Sequence, residues 1–138
     1  MNAYVDTSAL LRLVLREPGA VDELRSFDRL VSNELIAVES ARTLDRLRSS
    51  ESLTTEEAAA RMTVVSEWLE AIDLVLLRPP VLSRASEPLP TPLGTLDGLH
   101  LATALLWRDR LREPLTMVTH DTALALAARA FGFEVLGA

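Results

Sequence analysis

Short apolar runs along this chain alternate with longer stretches in which apolar residues recur every three or four positions, a pattern that predicts strands and helices in turn. Ala3-Tyr4-Val5 reads as a strand. A polar Asp6-Thr7-Ser8 turn able to cap follows, and a helix opens at Ala9-Leu10-Leu11 and runs to about Arg16, with Pro18-Gly19 as its stop. A second helix is expected over about 20–25, then a short strand at Leu30-Val31. Ser32 reads as the N-cap of a helix carrying Leu35, Ile36, Val38, Leu44 and Leu47, with Glu39, Arg42 and Arg46 on its charged face. After a polar break over 49–53, Thr54 or Thr55 caps a helix with glutamates in its first turn, and Met62, Val65 and Leu69 keep helical spacing to about Glu70. Residues 73–77 read as a strand stopped by Pro79-Pro80, with a short helix over 81–86 and a rigid loop through Pro88, Pro90 and Pro92 to Gly94. From 96 to 111 apolar residues crowd nearly the whole helix circumference, which predicts burial on more than one face, within the chain or in a dimer contact. The end repeats the opening: a strand over 115–119, Asp121-Thr122 as a cap, a helix to Phe131, Gly132 just past it, and a last strand over 133–136.

Alternating strands and helices predict one α/β domain over 1–138, a three-layer α/β/α sandwich with a mostly parallel central sheet. Right-handed crossovers put the helix starts on the strand C-terminal edge. Four carboxylates, Asp6, Glu39, Asp97 and Asp121, fall where strands hand over to helices, so they are expected to converge on one sheet edge, where open α/β folds place their ligands. Clustered carboxylates repel, and they hold either protons or divalent cations.

The composition narrows the chemistry. At 138 residues the chain can bury roughly two-thirds of its extended surface, and its 49% hydrophobic and 25% charged residues are ordinary for a globular protein. Its apolar runs fall well short of the ~20 residues of a membrane helix. Met1-Asn2-Ala3 lacks a secretory start, so a cytoplasmic protein is expected. With no Cys there is no disulfide, thiolate zinc site or cysteine nucleophile. His100 and His120 are too few for a His-rich zinc site, whereas oxygen ligands suit Mg²⁺ or Mn²⁺. All 14 basic residues are arginine, which removes any Walker A or Schiff-base lysine. A haloacid-dehalogenase-type phosphatase or a receiver-like phosphoacceptor would need that lysine too, and the phosphatase a second Asp where Ser8 stands. The net charge of −6 argues against a general basic surface for nucleic acid, but two bound divalent cations would cancel four of those charges where a phosphodiester would sit.

Tyr4-Val5-Asp6-Thr7-Ser8-Ala9-Leu10-Leu11 resembles the first motif of the PIN-domain ribonucleases, in particular the VapC toxins. Residues 32–39 resemble the second motif, ending on Glu39. Leu96-Asp97-Gly98-Leu99-His100-Leu101-Ala102 is similar to the third, with Asp97 its acid, and Val118-Thr119-His120-Asp121 to the fourth. The resemblance covers essentially the whole chain. It implies a Mg²⁺- or Mn²⁺-dependent endoribonuclease that cuts cellular RNA and is held inactive by a VapB-type antitoxin. Gly98 departs from the family, which often has alanine there.

On this reading Asp6, Asp97 and Asp121 are the expected metal ligands, and Glu39 either binds metal or orients the attacking water. Each has a plainer reading: Asp6 and Asp121 as helix caps, Asp97 as a dipole-favoured acid, and Glu39 as a surface partner of Arg42. Thr7, Ser8 and Thr119 either cap locally or hydrogen-bond the acids. His100 reads as a core histidine and His120 as incidental, while Arg12, Arg16, Arg42 and Arg46 are candidate RNA contacts. Trp68 and Trp107 read as core or interface. A homodimer is expected through the apolar helices at 62–72 or 99–111. The rival to the enzyme is a non-catalytic module of the same fold that binds a partner protein.

Overall fold

The computed structural model describes residues Met1–Ala138. Five parallel strands form one sheet in the order β3-β2-β1-β4-β5: β1 (Asn2–Val5), β2 (Arg29–Asn33), β3 (Ile72–Val75), β4 (Leu115–Val118) and β5 (Glu134–Leu136). The helices are α1 (Thr7–Val14), α2 (Leu35–Ser49), α3 (Thr55–Glu70), α4 (Pro79–Ala85), α5 (Thr95–Leu111) and α6 (Thr122–Ala130), and the helix expected over 20–25 is a 3-10 turn, Asp22–Ser26.

Strand side chains alternate between two cores, one on each face of the sheet. Ala3, Val5 and Leu30 face a core shared with Leu10, Ile36, Leu44 and Val65 of α1, α2 and α3. Tyr4, Val31 and Met117 face the other, closed by Leu101 and Leu105 of α5 and by Leu124 of α6. The three-layer expectation therefore holds. Much of the apolar circumference of α5 is covered within one chain: residues 98 and 100–105 are all buried, while Leu99, Leu106, Trp107 and Leu111 are half-buried and Leu96 is exposed.

Local signals behave unevenly. Thr54 caps α3 with a full capping box, its hydroxyl accepting from the Glu57 amide and the Glu57 carboxylate accepting from the Thr54 amide. Ser32 is not a cap. It lies inside β2, fully buried, and donates to the Val5 carbonyl of the neighbouring strand; Asn33 Oδ1 instead accepts from the Leu35 amide at the start of α2. The Asn33 amide also donates to Thr103 Oγ1 on α5, at 3.1 Å, which ties the two helix layers across the sheet edge.

Candidate active site

β1 is central: β2 and β3 are added on one side of it, and the chain then crosses back to add β4 and β5 on the other, which makes the C-terminal ends of β1 and β4 the switch point of the sheet. Asp6 follows β1 directly and is only 4% exposed. It occupies the N-cap position of α1 but makes no capping bond. Its Oδ2 accepts instead from Ser8 Oγ at 2.7 Å and from Thr119 Oγ1 at 2.8 Å. Those hydroxyls in turn accept the His120 and Asp121 amides, each at 3.0 Å, so the turn after β4 is laced to the acid after β1. The hydroxyls at 8 and 119 thus serve the acid rather than a helix end. Only glycine fits at 137 nearby: its φ is +99° and a Cβ there would meet the Thr119 carbonyl at 2.5 Å.

Glu39 projects from the second turn of α2. Its Oε1 accepts from Thr7 Oγ1 at 2.8 Å and from His100 Nε2 at 2.7 Å. The proposed surface pair with Arg42 is absent, because that guanidinium turns to Asp45 at 3.3 Å. Burial pushes the Glu39 carboxyl up, but the His100 hydrogen bond and charge, with Thr7, outweigh it and leave the pKa below the usual range.

Asp97 stands half-buried in the first turn of α5. Its carboxyl is pushed up to about 6, first by burial, then by Asp121 and Asp6, with Glu39 adding to the repulsion and His100 opposing it. That repulsion places all four acids within one electrostatic neighbourhood. Asp121 keeps the plainer role in part, since its Oδ1 caps α6 by accepting the Leu124 amide at 2.9 Å. No three of the site's Asp, Glu and His side chains converge tightly enough to hold an ion directly.

One residue read from the sequence as core, His100, belongs to this site and brings the Tyr4 hydroxyl with it. His100 is fully buried, with Nε2 on Glu39, 3.7 Å from Asp6 Oδ1, and Nδ1 2.7 Å from the Tyr4 hydroxyl. Burial lowers its pKa, but Glu39 and Asp6 overcome that and raise it. The signal was in the spacing: His100 lies three residues past Asp97, on the same helix face. His120 lies beside Asp121 but turns Nδ1 to the Gly137 carbonyl. Of the arginines, Arg46 donates to Thr43 Oγ1, and Arg12 and Arg16 lie on α1 and just past its end. Trp68 packs against the first core under the Arg25 guanidinium, and Trp107 against the second.

The sequence matches the family model of the PIN domain over residues 3–130. It is 36% identical over 134 residues to Ribonuclease VapC46 of Mycobacterium tuberculosis (strain ATCC 25618 / H37Rv), covering 96% of this chain and 95% of that protein. A toxin-antitoxin complex from Klebsiella pneumoniae contains a chain of the same fold, with a TM-score of 0.57 at 17% identity and 87% coverage of both chains. Four acids in motif order on this fold, with a whole-length relative of that kind, make the chain a member of the PIN-domain family, alongside its VapC ribonucleases.

Proposed function

We propose that the chain is a divalent-metal-dependent endoribonuclease, the toxin of a VapBC-type pair. The observation that carries this is Asp97. A carboxyl raised to about 6 by burial and by Asp121 and Asp6 marks a pocket with excess negative charge, and a cation is what relieves it. The donor set fits Mg²⁺ or Mn²⁺, for it is all oxygen, and Mg²⁺ is usually held by one or two carboxylates with waters completing its shell.

Asp6, Asp97 and Asp121 would hold the ion, in part through its bound waters, since the three do not converge on one point. When bound it supplies an activated water and charge neutralisation at the phosphate. The chain's own residues do the rest. Ser8 and Thr119 fix Asp6 through Oδ2 and leave Oδ1 without a hydrogen bond, 3.7 Å from His100 Nε2. Thr7 and His100 fix Glu39 in the same way, which suits its carboxylate to orienting the attacking water and accepting its proton. Arg12, Arg16, Arg42 and Arg46 are the proposed RNA contacts; Arg42 shares the Asp45 carboxylate with Arg48.

A small antitoxin is the proposed partner; an arginine from it pairing with the crowded carboxylates would close the site. No helix is long and apolar enough to cross a membrane, and a cytoplasmic setting is part of the proposal, as is a homodimer. The test is incubation of the purified protein with structured RNA in Mg²⁺, in Mn²⁺ and in EDTA. Cleavage in either metal that EDTA abolishes is expected. A folded wild type that cuts no RNA in either metal would instead favour the partner-binding module.

A further inference from the structure

His100 is entirely enclosed, and a fully buried imidazole must find partners for both nitrogens. It finds them in line: the Tyr4 hydroxyl at Nδ1, then the ring, then Glu39 Oε1 at Nε2, with Thr7 Oγ1 on the same oxygen. A carboxylate only accepts, so the proton between Glu39 and the ring sits on Nε2. Tyr4 OH donates to Nδ1 when the ring is neutral and accepts from it when the ring is cationic. Tyr4 itself is clamped in the sheet, as the β1 residue paired with Val31 and Met117. The ring meets it edge-on, with centroids 5.8 Å apart and planes at 72°. The imidazole therefore has one orientation, set by a strand, and passes it to a side chain on a helix of the opposite layer.

We propose that His100, backed by Tyr4, is a positioning residue for Glu39: its Nε2–H and the Thr7 hydroxyl occupy Oε1, so Oε2 is the oxygen offered to the reacting water. This rests on the ribonuclease reading above and assigns which Glu39 atom works in it. Asp6 repeats the scheme, with Oδ2 taken by two hydroxyls and Oδ1 left without a hydrogen bond. The difference is that the Glu39 anchor comes from α5, the helix that also carries Asp97, so one element sets the spacing of both acids.

Three variants test the inference. Glutamine can place its amide nitrogen near the position of Nε2 and keep the donor to Glu39, whereas leucine fills the space and donates nothing. His100→Leu is expected to lower kcat about 10- to 100-fold, the cost usual for removing such a supporting bond, with KM for RNA changed less than about threefold. His100→Gln should recover most of that loss, and Tyr4→Phe should fall between the two. In the metal-free wild type, nitrogen-detected NMR should show a protonated Nε2 with a downfield, exchange-protected proton that Glu39→Ala abolishes. Wild-type kcat in a folded His100→Leu overturns the inference, and so does a ring with Nε2 unprotonated. If His100→Leu fails to fold, the Gln variant and the ring spectrum decide it. A wild type that cleaves no RNA, with or without metal, overturns the ribonuclease reading and this role with it. A wild type that cleaves while His100→Leu cleaves equally well overturns this role alone.

Discussion

Glu39 and Asp97 are both half-buried carboxylates at one sheet edge, yet their environments push them in opposite directions. Glu39 has two donors on one oxygen, one of them a histidine, and its pKa falls below the ordinary range. For Asp97 no hydrogen bond offsets burial, only the charge of His100, and repulsion from Asp121, Asp6 and Glu39 lifts it to about 6. Burial is common to both, so the donors decide. Glu39 is held by donors from α1 and α5, whereas Asp97 carries its charge with no hydrogen-bond donor on it.

The largest effects should come from separating these two acids. Asp97→Asn removes a proposed ligand and should lower metal-dependent RNA cleavage by more than about 100-fold. Without metal at neutral pH, however, the same variant should unfold at a higher temperature than wild type, because it deletes an ionised group that its neighbours repel. Glu39→Ala should go the other way in stability, costing about 1–3 kcal/mol by leaving His100 and Thr7 donors buried without an acceptor. Cleavage assays and thermal denaturation check both. Equal stability shifts in the two variants would remove the distinction between a held acid and a repelled one.

Metal should narrow the difference. An ion that binds only the folded chain stabilises it by about 2.7 kcal/mol at 100 times its dissociation constant. The gain should shrink sharply in Asp97→Asn and little in Gly98→Ala. Calorimetric titration with Mn²⁺, alongside unfolding in Mg²⁺ and in EDTA, measures it.

The contrast also has a pH signature. Folding raises the Asp97 pKa from 3.8 to about 6, so between those values the folded state binds more protons. Stability of the metal-free protein should therefore fall as pH rises through about 4 to 6, then stay lower. Glu39 runs the opposite way: its pKa is depressed on folding, so its contribution is present above 4.5 and lost as pH falls. Asp97→Asn should erase the first slope and leave the second. Urea unfolding across that pH range reads both, and an unchanged slope in the variant would assign it to other groups.

Much of this was legible in the chain because the signals are local. Short apolar runs such as Ala3-Tyr4-Val5 read as strands from their own residues, and four acids at element junctions needed only parallel strands to meet. The misreadings share a cause: a polar residue's partner was sought within its own turn. Ser32 has the chemistry of a cap but is spent on a neighbouring strand, and Glu39 has Arg42 three residues away but bonds to α1 and α5 instead. Asp6 sits at a helix start and caps nothing, since Ser8 and Thr119 reach it first. His100 sat among apolar neighbours in sequence, and only the crossing of α5 over β1 shows that its two nitrogens bridge Tyr4 and Glu39. Caps such as Thr54, whose partner is three residues on, were read correctly.

The smallest effect concerns Gly98, next to Asp97 in the first turn of α5. Glycine there weakens the helix start by about 0.5–1 kcal/mol relative to alanine, chiefly through the freedom it gives the unfolded chain. A Cβ at 98 would meet no heavy atom within 4 Å, although the residue is buried, so Gly98→Ala has room and its backbone is not in the left-handed region. The variant should gain about 0.5–1 kcal/mol in urea unfolding and leave cleavage within about twofold, because no hydrogen bond to an acid passes through residue 98. If stability rises while cleavage drops, the first turn of α5 has to move for Asp97 to engage its ion, and the unpaired charge of Asp97 is matched by freedom of the backbone beside it. If both stay level, the turn is already fixed by the packing of His100 and Leu101 below it, and the contrast between the two acids is electrostatic alone.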